Sequence, residues 1–245
     1  MAENRKCLLI VDDTEIDRII LKSILARDFE ILEASNGNVA FEYITTKGNQ
    51  LDAILLDIAM PDIDGFTRLL LQDTDFCEGL SENEIENIAQ ASILHDVGKI
   101  TIPDAVLCKP GKLTRQEYEL MKTHTVQGVT ILKSVPQLRD SAIYDYACDI
   151  ARHHHERWDG RGYPDGLVGG QISPWAQIVA LADVYDALSC KRVYKDPFPR
   201  DEVIEMIVTG QCGQFNPRLL ECFLSVEGKL FDLYRALLGC GVQPA

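Results

Sequence analysis

Histidine and aspartate side chains recur at separate points in the last two thirds of this chain. A fold that used them together would have to bring distant segments to one place. The segments are HDVGK at 95–99, HHHERWDGRGYP at 153–164 and ADVYDAL at 182–188. Imidazole and carboxylate groups without thiolates are ligands for iron, manganese, zinc or nickel, and such a centre can act on a phosphate ester. The pattern therefore favours a fold that assembles a metal centre, and the leading hypothesis is a metal-dependent phosphodiesterase.

Helical periodicity dominates from Ser81 onward. Ser81 and Glu84 fit a capping box, which opens a helix whose apolar stripe leads to His95 and Asp96. Further helices are expected near 114–134, 140–157, 174–190, 199–210 and 216–238. The chemistry-bearing segments thus fall on different helices of an all-helical domain.

The first part of the chain alternates between strand-like and helical patterns. Three apolar runs indicate strands: CLLIV at 7–11, FEILEA at 29–34 and DAILLD at 52–57. Strands that alternate with helices predict a parallel sheet. Asp12, Asp13 and Asp57 follow strands, and the carboxyl ends of parallel strands meet at one edge of the sheet. Three crowded carboxylates there favour a divalent cation.

The stretch from about residue 5 to 66, which ends in MPDIDGF, resembles the first half of a response-regulator receiver domain. The resemblance implies Asp57 as the phosphoacceptor, magnesium held by Asp12, Asp13 and Asp57, and a sensor histidine kinase as partner in a two-component phosphorelay. A receiver continues through two more strands that carry a hydroxyl residue and a lysine, whereas this chain passes directly into another pattern.

We therefore expect a truncated receiver over 1–66, a junction over 67–79 and a second domain over 80–245. The fold class is α/β plus all-α, with a partial doubly wound βαβαβ unit ahead of the helical domain. A receiver has the strand order 2-1-3-4-5, so loss of the last two strands would leave the third as an unprotected edge. A working phosphorylation switch and a scaffold that is never phosphorylated stay open as alternatives.

Each remaining histidine has a structural alternative to metal binding. His124 lies on the apolar stripe of its helix, so a hydrogen-bonded core histidine is the competing interpretation. The run at 153–155 spans about 200° of a helix, so only two neighbours can face one site. The apolar stripe continues to His154 and His155, whereas His153 aligns with Asp149 on a polar face. We choose His154 and His155, and expect His153 to be a solvated neighbour of Asp149.

Asp183 and Asp186 lie three residues apart on a helix that is otherwise almost entirely apolar. A buried carboxylate without a partner is costly, so either a metal or a cation is expected beside them. The alternative to a metal is an internal salt bridge with Arg192 or Lys195.

Several long strings resemble, in order, the HD-GYP family, a subgroup of the HD metallohydrolases that cleaves cyclic di-GMP. The matching strings lie within about residues 80–225 and are HDVGKITIPDAVLCKPGKLT, MKTHT, HHERWDGRGYPDG and ISPWAQIVALADVYDALSCKRVYK. The resemblance implies a set of metal ligands: His95, Asp96, His124, His154, His155 and Asp183. It places Lys99 beside the substrate phosphates, as a catalytic residue with Asp96. It places Tyr163 on a guanine, and Asp186, Arg192 and Lys195 at the ligand.

The family begins with a helix that carries a further histidine ligand, and no histidine precedes His95 here. The missing receiver strands and the missing helix are contiguous, which indicates one internal deletion. Asp73, Asp75 or Glu78 could replace the lost ligand if the stretch 67–80 folds over the site. Three functions stay open: a phosphodiesterase that hydrolyses cyclic di-GMP to linear pGpG or GMP, a module that binds cyclic di-GMP or partner proteins without turnover, and a hydrolase for another nucleotide.

As cofactors we expect two or three divalent transition metals, with iron or manganese favoured. Expected partners are cyclic di-GMP, GGDEF-type or other signalling proteins, and a second copy of the chain in a homodimer. The chain has 24 Lys and Arg against 38 Asp and Glu, a net charge of −14, which disfavours nucleic acid and membrane surfaces. Its eight cysteines form no C-x-x-C pair, and no apolar run approaches the ~18 residues of a membrane span. We therefore expect a cytoplasmic protein.

Overall fold

The structure is a computed structural model that describes residues 5–12, 15–35, 37–56, 63–190 and 197–238. The chain divides into two compact units. One consists of residues 1–60 with 134–140, and the other of residues 61–133 and 141–245. None of the described helices is long and apolar enough to cross a membrane.

The described residues of the first unit form a three-stranded parallel sheet with two α-helices in 1–60, and one short helix, Pro136–Arg139, in 134–140. The strands and α-helices in 1–60 are β1 (Lys6–Val11), α1 (Glu15–Leu25), β2 (Phe29–Ala34), α2 (Gly37–Lys47) and β3 (Ala53–Leu56). β1 lies between β2 and β3 and pairs in parallel with both. A small core forms around Leu9, Val11, Ala34 and Ala40. The predicted parallel sheet is confirmed, and its order matches the 2-1-3 part of a receiver.

β3 ends the sheet among the described residues. The residues of β1 next to it, Leu9 and Ile10, are fully buried, whereas Ile54 and Leu55 of β3 are 46% and 40% exposed. No described strand pairs with the outer side of β3. The third strand is therefore the exposed edge that the sequence predicted.

The other described elements are helical. They are α3 (Ile63–Asp73), α4 (Glu82–Ser92), a 3-10 helix (Ile93–Thr101), α5 (Asp104–Leu107), α6 (Arg115–Lys122), α7 (His124–Ser134), α8 (Pro136–Arg139), α9 (Tyr144–His153), α10 (Pro174–Ser189), α11 (Arg200–Val208) and α12 (Pro217–Leu238). The helix predicted over 114–134 is two helices, because the chain turns at Thr123. The helix α3 was not predicted.

The long apolar helix α10 lies at the centre of the second unit. Ser173 caps it by accepting a hydrogen bond from the Ala176 amide, and Pro174 occupies its first turn. Its residues Ile178, Leu181 and Tyr185 belong to a core with side chains from α3 and α12, namely Phe66, Leu70, Phe223 and Leu230. Asp183 therefore projects from a helix that is packed on several sides.

The segment between residues 67 and 80 packs as part of the helical unit. Phe66 and Leu70 of α3 are fully buried. Asp73 accepts a hydrogen bond from Lys229 at 2.7 Å, and Asp75 accepts one from Arg218 at 2.6 Å. These carboxylates are thus paired with α12 and are not replacement ligands.

Candidate metal centre

The six predicted ligands, which together form the Asp96 cluster, come together in two groups that share Asp96. The groups are Asp96, His124, His154 and His155, and His95, Asp96 and Asp183. Within each group the ligand atoms lie within 4.8 Å of one another. Four separate segments supply them: the 3-10 helix after α4, the start of α7, the end of α9 and the middle of α10. Glu78 belongs to neither group.

Asp96 lies at the centre of the cluster. Its Oδ2 is 3.2 Å from His95 Nε2, and its Oδ1 is 3.4 Å from His124 Nε2 and 3.8 Å from His154 Nε2. The His124 and His154 Nε2 atoms are 3.4 Å apart. His124 and His154 are completely buried. One carboxylate therefore faces three imidazole nitrogens in a small enclosed space.

Three of the histidines are oriented by backbone carbonyls. Their Nδ1–H groups donate to carbonyls three or four residues earlier: His95 to Ser92 at 2.9 Å, His124 to Met121 at 2.7 Å and His154 to Ile150 at 3.0 Å. Each carbonyl lies in the last turn of a helix, next to the imidazole that it orients. Because Nδ1 carries the proton in the neutral His124 and His154, their Nε2 atoms keep a lone pair and point it at the cluster, whereas His95 Nε2 faces Asp96 Oδ2.

An unpartnered buried oxygen tests whether this donor set fits a metal ion. Asp96 Oδ1 is buried and has no hydrogen-bond partner among the described residues. A buried polar atom without a partner costs about 1–3 kcal/mol. The oxygen faces two Nε2 lone pairs that cannot donate to it, and a cation would satisfy all three atoms. The residues therefore fit a divalent metal.

The protonation of the cluster agrees with this interpretation. Burial lowers the pKa of His124, lowers that of His155 to about 2, and lowers that of His154 well below its usual value. Burial acts to raise the pKa of Asp96, but the hydrogen bond and charge of His95 outweigh it and hold the pKa well below its usual range. Burial acts to lower the pKa of His95, but the hydrogen bond and charge of Asp96 raise it overall. Neutral imidazoles and an ionised carboxylate are the forms that bind metal, and the proton held by His95 is one that a metal would displace.

Gly98 allows the first segment to approach the second. A Cβ atom at Gly98 would lie 1.9 Å from the His124 carbonyl oxygen and 2.5 Å from the Gly128 amide nitrogen. Both are backbone atoms that cannot move aside without shifting α7. The glycine of HDVGK is therefore required for Asp96 to reach His124.

A buried carboxylate organises the loop after the histidine run. Glu156 is 2% exposed, and its two oxygens accept backbone N–H groups from residues 165, 166 and 167 at 2.7, 3.1 and 3.0 Å. The sequence analysis missed this role. The only signal was an acidic residue directly before a glycine-rich loop, which does not indicate where its side chain turns.

The same loop places Tyr163 against a predicted ligand. The Tyr163 ring lies nearly parallel to the His155 imidazole, with centroids 4.7 Å apart and an interplanar angle of 29°. A Cβ atom at Gly162 would lie 2.4 Å from the backbone of Glu156. The glycine therefore permits the close return of the chain that stacks Tyr163 on His155.

Two cations lie beside the cluster. The Lys99 ammonium donates to Asp96 Oδ2, and the Lys99 side chain is 37% exposed. The Arg157 guanidinium lies over the Phe215 ring at 5.5 Å and interacts electrostatically with Asp183. Burial lowers the pKa of Arg157, and the charge of Asp183 acts in the opposite direction. The sequence analysis predicted Lys99 and missed Arg157.

His153 is turned away from the cluster, as expected. Its Nδ1 is 2.7 Å from Asp149 and its Nε2 is 3.0 Å from Asp165. The predicted partner is confirmed, but the side chain is only 16% exposed and so is less solvated than expected. His153 therefore has a structural role next to two predicted ligands.

The structure describes only some of the remaining predicted site residues. Asp186 is partly buried on α10, and its Oδ1 accepts a hydrogen bond from the Cys190 thiol at 3.0 Å. Asp12 follows β1 and is buried. The other predicted residues lie outside the described residues: Asp13, Asp57, Arg192 and Lys195.

Known proteins resemble the chain over both of its parts. The response regulator receiver domain family matches residues 8–72, and the HD domain family matches residues 71–219. A probable cyclic di-GMP phosphodiesterase of Vibrio cholerae is 43% identical over 156 residues, which cover 63% of this chain and 35% of that protein. The cyclic di-GMP phosphodiesterase response regulator RpfG of Xanthomonas campestris is 43% identical over 152 residues, which cover 62% of this chain and 39% of that protein.

A 3'3'-cGAMP-specific phosphodiesterase of Vibrio cholerae is 44% identical over 146 residues, which cover 60% of this chain and 27% of that protein. The chain thus spans well under half the length of these relatives. The HD match covers more than half of the chain and contains all six residues of the Asp96 cluster. The chain belongs to the HD domain family, with a receiver-domain segment ahead of its HD domain.

Proposed function

We propose that this chain hydrolyses cyclic di-GMP at the Asp96 cluster, as the output of a bacterial two-component response regulator. The observation that carries the proposal is the convergence of the neutral His124 and His154 Nε2 atoms on a buried Asp96 oxygen that has no hydrogen-bond partner in the part of the chain that the structure describes. The substrate rests on the names of the cyclic di-GMP relatives. Within this proposal, residues 1–66 are the truncated receiver, 80–245 are the HD-GYP domain, and the location is the cytoplasm.

The two ligand groups suggest two metal ions that share Asp96. His124, His154 and His155 would complete one, and His95 and Asp183 would complete the other. Nitrogen and oxygen donors without thiolates favour iron or manganese. A third metal would need a further histidine, and none precedes His95.

The chain's own residues account for the other needs of phosphodiester cleavage. When bound, divalent metals acidify a water molecule and polarise the phosphoryl oxygen. Lys99, already at Asp96, donates to a phosphoryl oxygen and stabilises the negative charge of the transition state. Tyr163 offers an aromatic face to a guanine, while Asp186, Arg192 and Lys195 contact the rest of the nucleotide. Cyclic di-GMP and a sensor histidine kinase that phosphorylates Asp57 are the proposed partners.

A module that binds cyclic di-GMP without turnover is the second candidate. The observation that favours it is that no histidine precedes His95, so the further ligand that the family resemblance implies has no counterpart here. Loss of one ligand lowers metal affinity and opens the coordination sphere. The chain would then lose the hydrolysis of cyclic di-GMP before it lost the ability to bind it.

The decisive experiment measures metal content and hydrolysis on one preparation of the purified protein. Elemental analysis gives the metals per chain, and chromatography follows cyclic di-GMP, linear pGpG and GMP. We expect one or two transition metals per chain, readily removed by chelators, and conversion of cyclic di-GMP that stops on chelation and resumes when iron or manganese is returned. Bound metal with cyclic di-GMP binding but no product would establish the binding module instead. Hydrolysis of other nucleotides in preference to cyclic di-GMP would overturn the assignment of cyclic di-GMP as the substrate.

A further inference from the structure

A second aromatic ring lies next to Tyr163. Tyr118 of α6 stands edge-on to Tyr163, with ring centroids 6.5 Å apart and an interplanar angle of 80°. Tyr118 is 49% exposed. The rings of His155, Tyr163 and Tyr118 thus form a wall of successive ring contacts that begins at one predicted metal ligand.

A lysine joins the two tyrosines of this wall. The Lys122 ammonium lies 5.6 Å from the Tyr118 ring centroid and 5.7 Å from the Tyr163 centroid. Its only described ion pair is with Glu119, at 2.7 Å, and Glu119 is 59% exposed. An exposed partner of this kind contributes little to stability, so the ammonium can exchange it for a ligand. Lys122 is held over two aromatic rings and keeps donor capacity towards solvent.

We propose that Tyr118 and Lys122 form an outer base subsite that binds a guanine of the dinucleotide substrate and selects it over adenine. The inference rests on the proposed function, because it presupposes a cyclic dinucleotide whose phosphate lies at the Asp96 cluster. It goes further by assigning base selectivity to residues outside that cluster.

The chemistry of the two side chains matches one edge of guanine. An exposed tyrosine ring stacks on any base, a contact worth about 1–3 kcal/mol per base. The ammonium then supplies the selectivity, since guanine presents two acceptors, O6 and N7, to a single cation. Adenine in the same orientation presents an amino group in place of O6, and a lysine cannot accept a hydrogen bond from it.

The test compares kcat/KM for three substrates: cyclic di-GMP, cyclic di-AMP and bis(p-nitrophenyl) phosphate, a diester without bases. The variants are Tyr118→Ala, Tyr118→Phe and Lys122→Met, with Leu224→Ala on α12 as a control of similar exposure, 48%. Tyr118→Ala should lower kcat/KM for cyclic di-GMP by about 5- to 100-fold, mainly through KM, and far more than for the diester without bases. Tyr118→Phe should restore most of that loss, because it keeps the ring.

Lys122→Met should lower the preference for cyclic di-GMP over cyclic di-AMP by roughly tenfold, the size of one base-edge contact. Equal losses on all three substrates, or dinucleotide kinetics that do not change, would overturn the outer subsite and leave the proposed function intact. A wild-type protein that cleaves only the diester without bases would instead overturn the proposed function. Circular dichroism spectra confirm that each variant is folded.

Discussion

The two units of this chain use aspartates in different structural settings. In the helical unit, Asp96 is surrounded by histidines that three helix ends and one close backbone approach hold in place. In the sheet unit, Asp12 follows a central strand, but the sheet ends at β3 among the described residues, where Ile54 and Leu55 are exposed. A receiver transmits phosphorylation through strands beyond its third. The comparison teaches that a site made from several helix ends can assemble when one ligand of the family is missing, whereas a site that signals through a sheet depends on the strands beyond it.

The largest effect is expected when His154 is replaced, and its neighbour His153 should respond differently. His154→Gln removes a buried Nε2 from the cluster, so we expect loss of metal and of phosphodiesterase activity. The loss should exceed the ~10–100-fold that a lost supporting contact typically costs. Elemental analysis and initial rates measure both.

His153→Gln is the matched control, because His153 bonds to Asp149 and Asp165 and lies outside both ligand groups. It should keep its metal and lose only some stability. If the two variants lost metal equally, the assignment of these neighbours to different roles would be wrong.

A smaller effect tests the close approach that builds the cluster. Gly98→Ala introduces a Cβ atom that clashes with the His124 carbonyl, so we expect a loss of about 1–3 kcal/mol in unfolding free energy. Metal affinity should also fall, since Asp96 and His124 can no longer approach. Gly170→Ala is the control because no atom lies within 4 Å of the place its new methyl group would take, and its effect should stay within about 0.5 kcal/mol. Thermal unfolding with and without metal measures both, and equal shifts would show that the approach at Gly98 is not needed.

Much of the helical unit followed from local sequence rules. The predicted capping box is present, with Ser81 Oγ accepting from the Glu84 amide and Glu84 accepting from the Ser81 amide. The apolar stripe favoured His154 and His155 over His153, and those two lie in the cluster, although α9 itself ends at His153. These features depend on residues within one or two helical turns, which is the range that periodicity reports.

The features that sequence could not predict depend on tertiary contacts. The helix α3 runs into the stretch assigned to a junction, and its apolar side chains find partners on α4, α10 and α12 in the core around Phe66. The turn at Thr123 lets α7 begin at His124, where Gly98 packs against it. Glu156 accepts three amides from a loop about ten residues away, and no local pattern encodes that contact. Each case is a long-range contact overriding or completing a local preference.

The smallest expected effect concerns the sheet unit. Asp57 follows the third predicted strand, but the chain lacks the later strands whose hydroxyl and lysine respond to phosphorylation in a receiver. We expect acyl phosphate donors to label Asp57 weakly and to leave the rate of cyclic di-GMP hydrolysis unchanged within error. Phosphate incorporation and initial rates are measured on the wild type and on Asp57→Asn, which removes the acceptor carboxylate and keeps its shape. A several-fold rate change in the wild type that is absent from Asp57→Asn would show that a three-stranded receiver still signals. The two units would then differ in the chemistry of their aspartates, and the missing receiver strands would not explain the difference.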